Sequence, residues 1–260
     1  MKDTFDSIAV VGGGNAGATL AAHLKLLGRE VRLYDAFPAA LKDIQDNDNT
    51  ITLEGALDVQ GEARIDIVTN DLAEAVTGAE LIVCTTPAHV HHTVADNLAP
   101  LITADQVIVL NPGRTGGVLE VRKELSEHHA PDDVLVVETQ TIAYACRKTG
   151  ASVHVYGTKS RVLFSGLPAA RIPEFTRRFQ SLFPSFVPAP GGIWETSLNN
   201  IGMLFHPTPT LLNTGRMESG QPFDYYIDGF PPSIAHLVEQ LDLERLQIAE
   251  AMHQHVPSVQ

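Results

Sequence analysis

The sequence predicts an α/β fold, a doubly wound parallel sheet followed by a helical part. Three observations carry this reading: strand-length apolar runs alternate with helical patterns over the first half, a glycine-rich turn joins the first strand to the first helix, and the strand signal stops near residue 190.

The elements follow in order. "SIAVV" (7–11) is a buried strand that "GGGNAG" turns into a helix over 15–27, and "VRLYD" (31–35) leads to a helix over 38–46. "TITLEG" (50–55) and "ARIDIVT" (63–69), rich in β-branched residues, read as a strand pair or an inserted crossover. "LIVCT" (81–85), a helix over 89–98, "VIVL" (107–110), a helix over 117–127 and "VLVVE" (134–138) resume the alternation. Past residue 140, "TIAYACR", "SVHVYG" and "RVLFSG" are consecutive strand-like pieces, expected as antiparallel additions to the sheet. A helix over 173–182 and the Pro- and Gly-marked "FPSFVPAPGG" close a first domain at 1–190. Residues 191–260 read as helical, with 192–206 and 231–252 the clear stretches.

Composition narrows the function. With 44% hydrophobic and 19% charged residues the chain is an ordinary globular one, and its net charge of -13 argues against nucleic acid or acidic lipid as partner. A small ligand with local phosphate contacts stays open. Two cysteines make no disulfide framework, the first residues do not resemble a signal peptide, and no apolar run approaches the roughly 20 residues of a membrane helix. A cytoplasmic protein is expected.

In "VVGGGNAG", Gly12, Gly14 and Gly17 fit GxGxxG in the context the motif needs, after a strand and before a helix. The first glycine permits the turn, the second admits a pyrophosphate to the backbone, and the third lets helix pack on strand. Asn15 and Ala16 open the helix, whose free amides receive phosphate. Asp35 closes the second strand, where a carboxylate accepts bonds from a ribose 2′-hydroxyl and repels a 2′-phosphate. The cofactor expected is NAD, with NADP disfavoured. "TTPAHV", with Thr86, Pro87 and Ala88, and "NPGRTGG" (111–117) follow later strands and belong at the same sheet edge.

The stretch "MLFHPTPTLLN" (203–213) sets a histidine and two prolines in a helical run. At helical spacing Trp194, Leu198, Ile201 and Phe205 form an apolar stripe, and Glu195, Asn199, Gly202 and His206 a polar one beside it. Pro207 biases His206 out of the helical region. Spacing alone leaves two readings, a core or solvated histidine and a group aimed at the cofactor. "HVHH" (89–92) lacks the convergent partners of a zinc site, so no metal is expected. Glu138 and Asn199 are candidate substrate contacts.

"GGGNAGATLAAHL", "NPGRTGG", "ETQTIAYACR", "NNIGMLFHPTPTLLNTGRMESG", "FDYYIDGFPPSIAHLVEQLDLERLQIAEAM" and "VPSV" resemble the opine dehydrogenase family, of the NAD(P)-dependent octopine/nopaline type, in order and over essentially the whole chain. The resemblance implies a Rossmann-type domain followed by an all-helical one, with substrate in the cleft between. It also implies reductive joining of an amino acid to a 2-oxo acid, with the catalytic histidine of "HPTPTLLN" at His206. The family's partner aspartate and substrate-binding arginine belong to a later RYxxED-like segment, absent by Gln260, and Arg216, Arg245, Asp228 and Asp242 do not match it. The expectation is a chain without the family's last helices that binds NADH, turns over slowly, and self-associates, as a homodimer for instance, through apolar residues such as Leu237, Leu241 and Ile248. Two alternatives are a dinucleotide-binding module without turnover and a ketopantoate- or hydroxyacid-type reductase. The latter calls for a lysine one turn before an asparagine, where this chain has Glu195 and Thr196 ahead of Asn199 and Asn200.

Overall fold

A computed structural model of the chain describes residues 3–259. β1 (Ser7–Val11) passes through three glycines into α1 (Asn15–Leu26), and β2 (Glu30–Tyr34) leads to α2 (Pro38–Asp46). β3 (Thr50–Gly55) and β4 (Gly61–Arg64) form a hairpin, followed by β5 (Ile67–Thr69) and α3 (Leu72–Val76). β6 (Leu81–Cys84), α4 (His91–Leu98), β7 (Val107–Leu110), α5 (Gly117–Glu127) and β8 (Leu135–Thr139) continue the alternation. β9 (Tyr144–Thr149), β10 (Ser152–Thr158), β11 (Val162–Leu167), α6 (Ile172–Gln180) and β12 (Phe186–Pro188) follow. The remaining elements are α7 (Gly192–Leu198), α8 (Gly202–Phe205), α9 (Pro207–Leu212), α10 (Thr214–Glu218) and α11 (Pro232–Ala251).

Eight strands make the main sheet in the order β12-β11-β8-β7-β6-β1-β2-β5, parallel from β5 to β8. Its central strands are apolar without interruption because helices cover both faces. Alternate side chains therefore enter different cores: Ile8 and Val10 join one cluster, Ala9 and Val11 the other. The chain runs outward from β1 through β2 to β5 and then returns to β6 on the other side of β1. The strand order thus switches between β1 and β6, and the carboxyl ends of these two strands are where such sheets bind ligands.

The expectation of three antiparallel additions needs correction. Only β11 joins the main sheet antiparallel, against β8. β9 and β10 pair with each other and, through β10 parallel to β3, complete a second sheet of order β4-β3-β10-β9. The small sheet covers α1, which explains why that helix is apolar nearly all round: Ala18, Leu20, Ala21, Ala22 and Leu24 are buried in a layer between two sheets. Residues 63–69 likewise do not form one strand. They bend at Asp66, whose carboxylate accepts from the Val31 N–H at 2.7 Å and from Lys25 Nζ at 2.6 Å.

Contacts divide the chain into Met1–Thr196 and Ser197–Gln260. In the second unit α11 packs on α8 and α9. Its buried stripe is Ile234, Val238, Asp242, Arg245 and Ala249, so an ion pair sits among apolar residues. Arg245 pairs with Asp242 at 2.7 Å and donates to the carbonyls of Leu198 and Pro257, while Asp242 accepts from Ser258 Oγ and the Val259 N–H. Every charge taken from water there is met by several partners, the condition under which a buried pair is tolerated. No helix among the described residues is long and apolar enough to cross a membrane.

Residues 192–206 are not one helix. The chain leaves helical geometry after Leu198, with Asn200 N–H bonded to the Ser197 carbonyl and Ile201 N–H to that of Asn199, and restarts at Gly202. The two stripes of the sequence reading therefore do not exist as continuous faces, and Trp194 and Ile201 are each 44% exposed. Asparagines compete with helix hydrogen bonding through their own side chains, which makes them weak helix formers, and two in succession stand at this break.

Candidate functional site

The turn after β1 is built by close approach. Gly12 has φ of +112°, a value L side chains rarely adopt, and its carbonyl accepts from Thr85 Oγ1 at 3.1 Å. A Cβ on Gly17 would lie 1.7 Å from that same carbonyl oxygen, so only glycine lets α1 approach the turn. Gly14 is the opposite case. A Cβ there would meet nothing within 4 Å, and as N-cap it leaves the first amides of α1 without a side-chain partner. Open space in front of unbonded amides fits a dinucleotide pyrophosphate. Asn15 is engaged from outside the main sheet: its Oδ1 accepts from the Lys148 N–H at 2.9 Å, and Cys146 Sγ lies 3.6 Å from its carbonyl.

Asp35 is fixed at the end of β2 by two backbone amides, Gly13 N–H to Oδ2 at 2.7 Å and Phe37 N–H to Oδ1 at 2.9 Å. Each oxygen keeps acceptor capacity beyond one bond, as a ribose-binding carboxylate requires. Across the switch point, Thr86 Oγ1 is buried without a hydrogen-bond partner at the start of the loop that continues into Pro87 and Ala88. A buried hydroxyl with no partner is costly, and a ligand that the loop shifted to meet would supply one. Gly14, Asp35 and Thr86 thus suit a nicotinamide dinucleotide on independent grounds.

His91, first residue of α4, is fully buried, and neither ring nitrogen has a hydrogen-bond partner; the Thr86 backbone lies nearby without the geometry of a bond. Burial pulls its pKa down, so the neutral imidazole is favoured. Glu138 is also fully buried. Its Oε2 accepts from the Val118 N–H at 3.0 Å and its Oε1 from Thr196 Oγ1 at 2.5 Å, and Thr196 Oγ1 is bonded in turn to Ser165 Oγ at 3.0 Å. The carboxylate therefore caps the N-terminus of α5, whose own N-cap residue, Gly116, has no side chain to do so. A substrate contact would need Glu138 to reach solvent, and here it does not.

In the helical unit the break falls where Pro207 starts α9, with His206 as N-cap and exposed. Its Nδ1 lies 3.1 Å from Tyr226 Oη, and its carbonyl accepts from Tyr225 Oη at 2.9 Å. Thr210 Oγ1 bonds Tyr225 Oη at 2.6 Å. The two tyrosines of "FDYYIDGF" therefore hold both the backbone and the ring of His206. Sequence reading missed them; their signal was an adjacent aromatic pair with polar tips in an otherwise loop-like stretch. Asn199 is buried just after α7, at the helix break.

Comparison with known proteins gives the kinship of the chain. The family described as NAD/NADP octopine/nopaline dehydrogenase, alpha-helical domain, matches residues 190–260, and that described as NAD-dependent glycerol-3-phosphate dehydrogenase N-terminus matches residues 7–143. The chain is 41% identical over 252 residues to an opine dehydrogenase of Arthrobacter sp. (strain 1C), covering 96% of this chain and 69% of that relative. An octopine dehydrogenase solved with NADH and L-arginine superimposes with a TM-score of 0.74 at 26% identity, over 95% of this chain and 64% of the other. Yersinopine dehydrogenase with NADP+ bound shares the fold, with a TM-score of 0.80 at 15% identity over 98% of this chain and 66% of the other. The chain thus spans about two thirds of the length of these proteins. At 41% identity over 69% of the Arthrobacter relative's length, the chain belongs to the opine dehydrogenase family of nicotinamide-dependent oxidoreductases acting on CH–NH bonds.

Proposed function

We propose that the chain serves the NADH-dependent reductive condensation of an amino acid with a 2-oxo acid, with His206 as the acid/base group. The observation that carries this reading is His206 itself, an imidazole at a proline break, engaged through Nδ1 by Tyr226. In the net reaction an amine and a ketone lose water to form an imine, and hydride from NADH with a proton reduces it to the secondary amine. An imidazole near neutral pKa can take a proton from the substrate ammonium, freeing the amine to attack the ketone, and give one to the hydroxyl that departs as water. Gly12, Gly14 and the first residues of α1, Asn15, Ala16 and Gly17, would hold the pyrophosphate, Asp35 the adenosine ribose, and Thr86, Pro87 and Ala88 the other half of the cofactor. Asp35 supports NADH over NADPH, because a 2′-phosphate would face a carboxylate. Two free cysteines suit a reducing compartment such as the cytoplasm.

The reductase alternative finds little support. It needs a lysine one turn before Asn199 or Asn200, and the residues in those places are spent locally. Glu195 Oε2 accepts from the Gly191 N–H at 2.8 Å, and Thr196 is bonded to Glu138. The test is a screen of amino acid and 2-oxo acid pairs followed by NADH absorbance, beside a fluorescence titration of NADH. Oxidation of NADH that requires both substrates, abolished in His206→Asn with NADH affinity retained, supports the proposal. NADH binding without turnover would instead support a dinucleotide-binding module, and unchanged turnover in His206→Asn would remove the role of His206.

A further inference from the structure

The corner between β1, β2 and α2 receives a side chain from outside the main sheet. Lys148 lies on β9 of the small sheet, and its backbone N–H is bonded to Asn15 Oδ1. Its Nζ donates to the Gly13 carbonyl at 3.2 Å and the Ala40 carbonyl at 2.5 Å. Gly13 is the residue whose N–H is bonded to Asp35, and a Cβ on Gly13 would fall 2.7 Å from Leu41 of α2 and 3.4 Å from Asp35 Cβ. The ammonium and the carboxylate therefore flank one glycine of the phosphate turn, without forming a direct ion pair among the described contacts.

An ammonium has three donors, and two carbonyls use two of them. Partial burial makes the charge costly there: it holds the pKa of Lys148 below its ordinary value, and Asp43 and Asp35 offset only part of that. Two carbonyls alone do not call for a cation, since a neutral amide or a water serves them without the desolvation cost. A cation set beside a ribose-binding carboxylate has a further use, because it offsets the repulsion that the carboxylate exerts on a phosphate.

We propose that Lys148 is a cofactor-specificity residue: carried in by the small sheet, it opposes Asp35 at the adenosine corner and allows a 2′-phosphorylated dinucleotide to bind alongside the unphosphorylated one. This rests on the dinucleotide reading above. Asp35 still favours NADH, and Lys148 limits the margin.

The experiment is a fluorescence titration of NADH and NADPH with the purified chain and with Lys148→Met and Lys148→Arg, at two salt concentrations. Lys148→Met keeps the apolar stem and removes the charge. It should weaken NADPH about tenfold while changing NADH less than threefold, the scale of one partly screened charge acting on a phosphate. Lys148→Arg should keep the wild-type ratio. Added salt should weaken NADPH more than NADH in wild type, and this difference should vanish in Lys148→Met. Equal losses for both cofactors would make Lys148 merely structural and overturn the proposal. So would an unchanged ratio, or a wild type that binds NADH and shows no NADPH binding. A wild type that binds neither would overturn the dinucleotide reading as well.

Discussion

Alanine at two glycines of one turn should act in opposite ways. At Gly17 the new Cβ would lie 1.7 Å from the Gly12 carbonyl oxygen and 2.7 Å from Thr85 Oγ1. An ordinary carbon–oxygen contact is about 3.3 Å, so α1 would have to move by about 1.6 Å. The obstacle is backbone, held at a φ of +112°, and cannot rotate away. Overpacking of this kind costs about 1–3 kcal/mol, and at about 2–4 °C per kcal/mol the melting temperature should fall by roughly 2–12 °C. At Gly14 a methyl meets nothing, and φ of -73° with ψ of -165° is open to alanine. Loss of unfolded-state freedom stabilises by about 0.4–1 kcal/mol, and the poorer N-cap takes back a similar amount, so the melting temperature should stay within about 2 °C. Yet Gly14 adjoins the unbonded α1 amides, where a methyl would crowd a bound pyrophosphate, and NADH affinity should fall at least about tenfold, or about 1.4 kcal/mol. Thermal melts without cofactor and NADH fluorescence titrations read the two effects separately. Wild-type NADH affinity in Gly14→Ala, or an unchanged melting temperature in Gly17→Ala, would refute the reasoning.

Further outcomes follow from individual contacts. Thr86→Val removes a buried hydroxyl that has no partner, so the melting temperature without cofactor should rise, by the effect of up to about 1 kcal/mol, while NADH binding weakens; a fall in stability with intact binding would contradict this. Tyr226→Phe keeps the ring and deletes the bond to His206 Nδ1, and should lower kcat about 3- to 10-fold and move the pH–rate profile without changing NADH affinity. Asp242→Asn breaks the buried pair with Arg245 and should cost about 3–5 kcal/mol, read in a denaturant melt. Burial raises the pKa of Asp242, but the Val259 N–H, Arg245 and Ser258 outweigh it and leave the carboxyl below the usual range. The stability this group contributes is therefore present above the unfolded carboxylate value of about 3.9 and is lost as pH falls through the lowered folded value, so the acid limb of the melting temperature should flatten in Asp242→Asn.

What the sequence revealed depended on whether one segment carried its own physical reason. "VIVL" and "LIVC" announce strands buried on both faces, and "GGGNAG" declares a backbone that must be approached closely, whatever lies elsewhere in the chain. The alternation in β9 and β10 was legible as one buried face, yet nothing in it tells whether that face meets the main sheet or α1. Helical spacing suggested one helix over 192–206, because periodicity counts apolar positions and is blind to the tight backbone turn at Asn199 and Asn200.

Lys148 escaped notice for a different reason than the tyrosines around His206: its partners are remote and act through the backbone. Lys148 reaches the carbonyls of Gly13 and Ala40, 135 and 108 residues away, and any residue type offers a carbonyl. The capping role of Glu138 was hidden for a similar reason, since one of its partners is the amide of Val118. A clue was nevertheless present. "GG" at 116–117 gives α5 no capping side chain, and a helix that starts inside a protein must find its acceptor elsewhere. A carboxylate at the end of the neighbouring strand is the group placed to supply it, with Gly113 packed against its Cβ. Glycine pairs at helix starts thus carry two meanings in this chain. At α5 the missing cap is supplied from within, and at α1 the amides stay unbonded, which is the difference between a structural turn and a binding one.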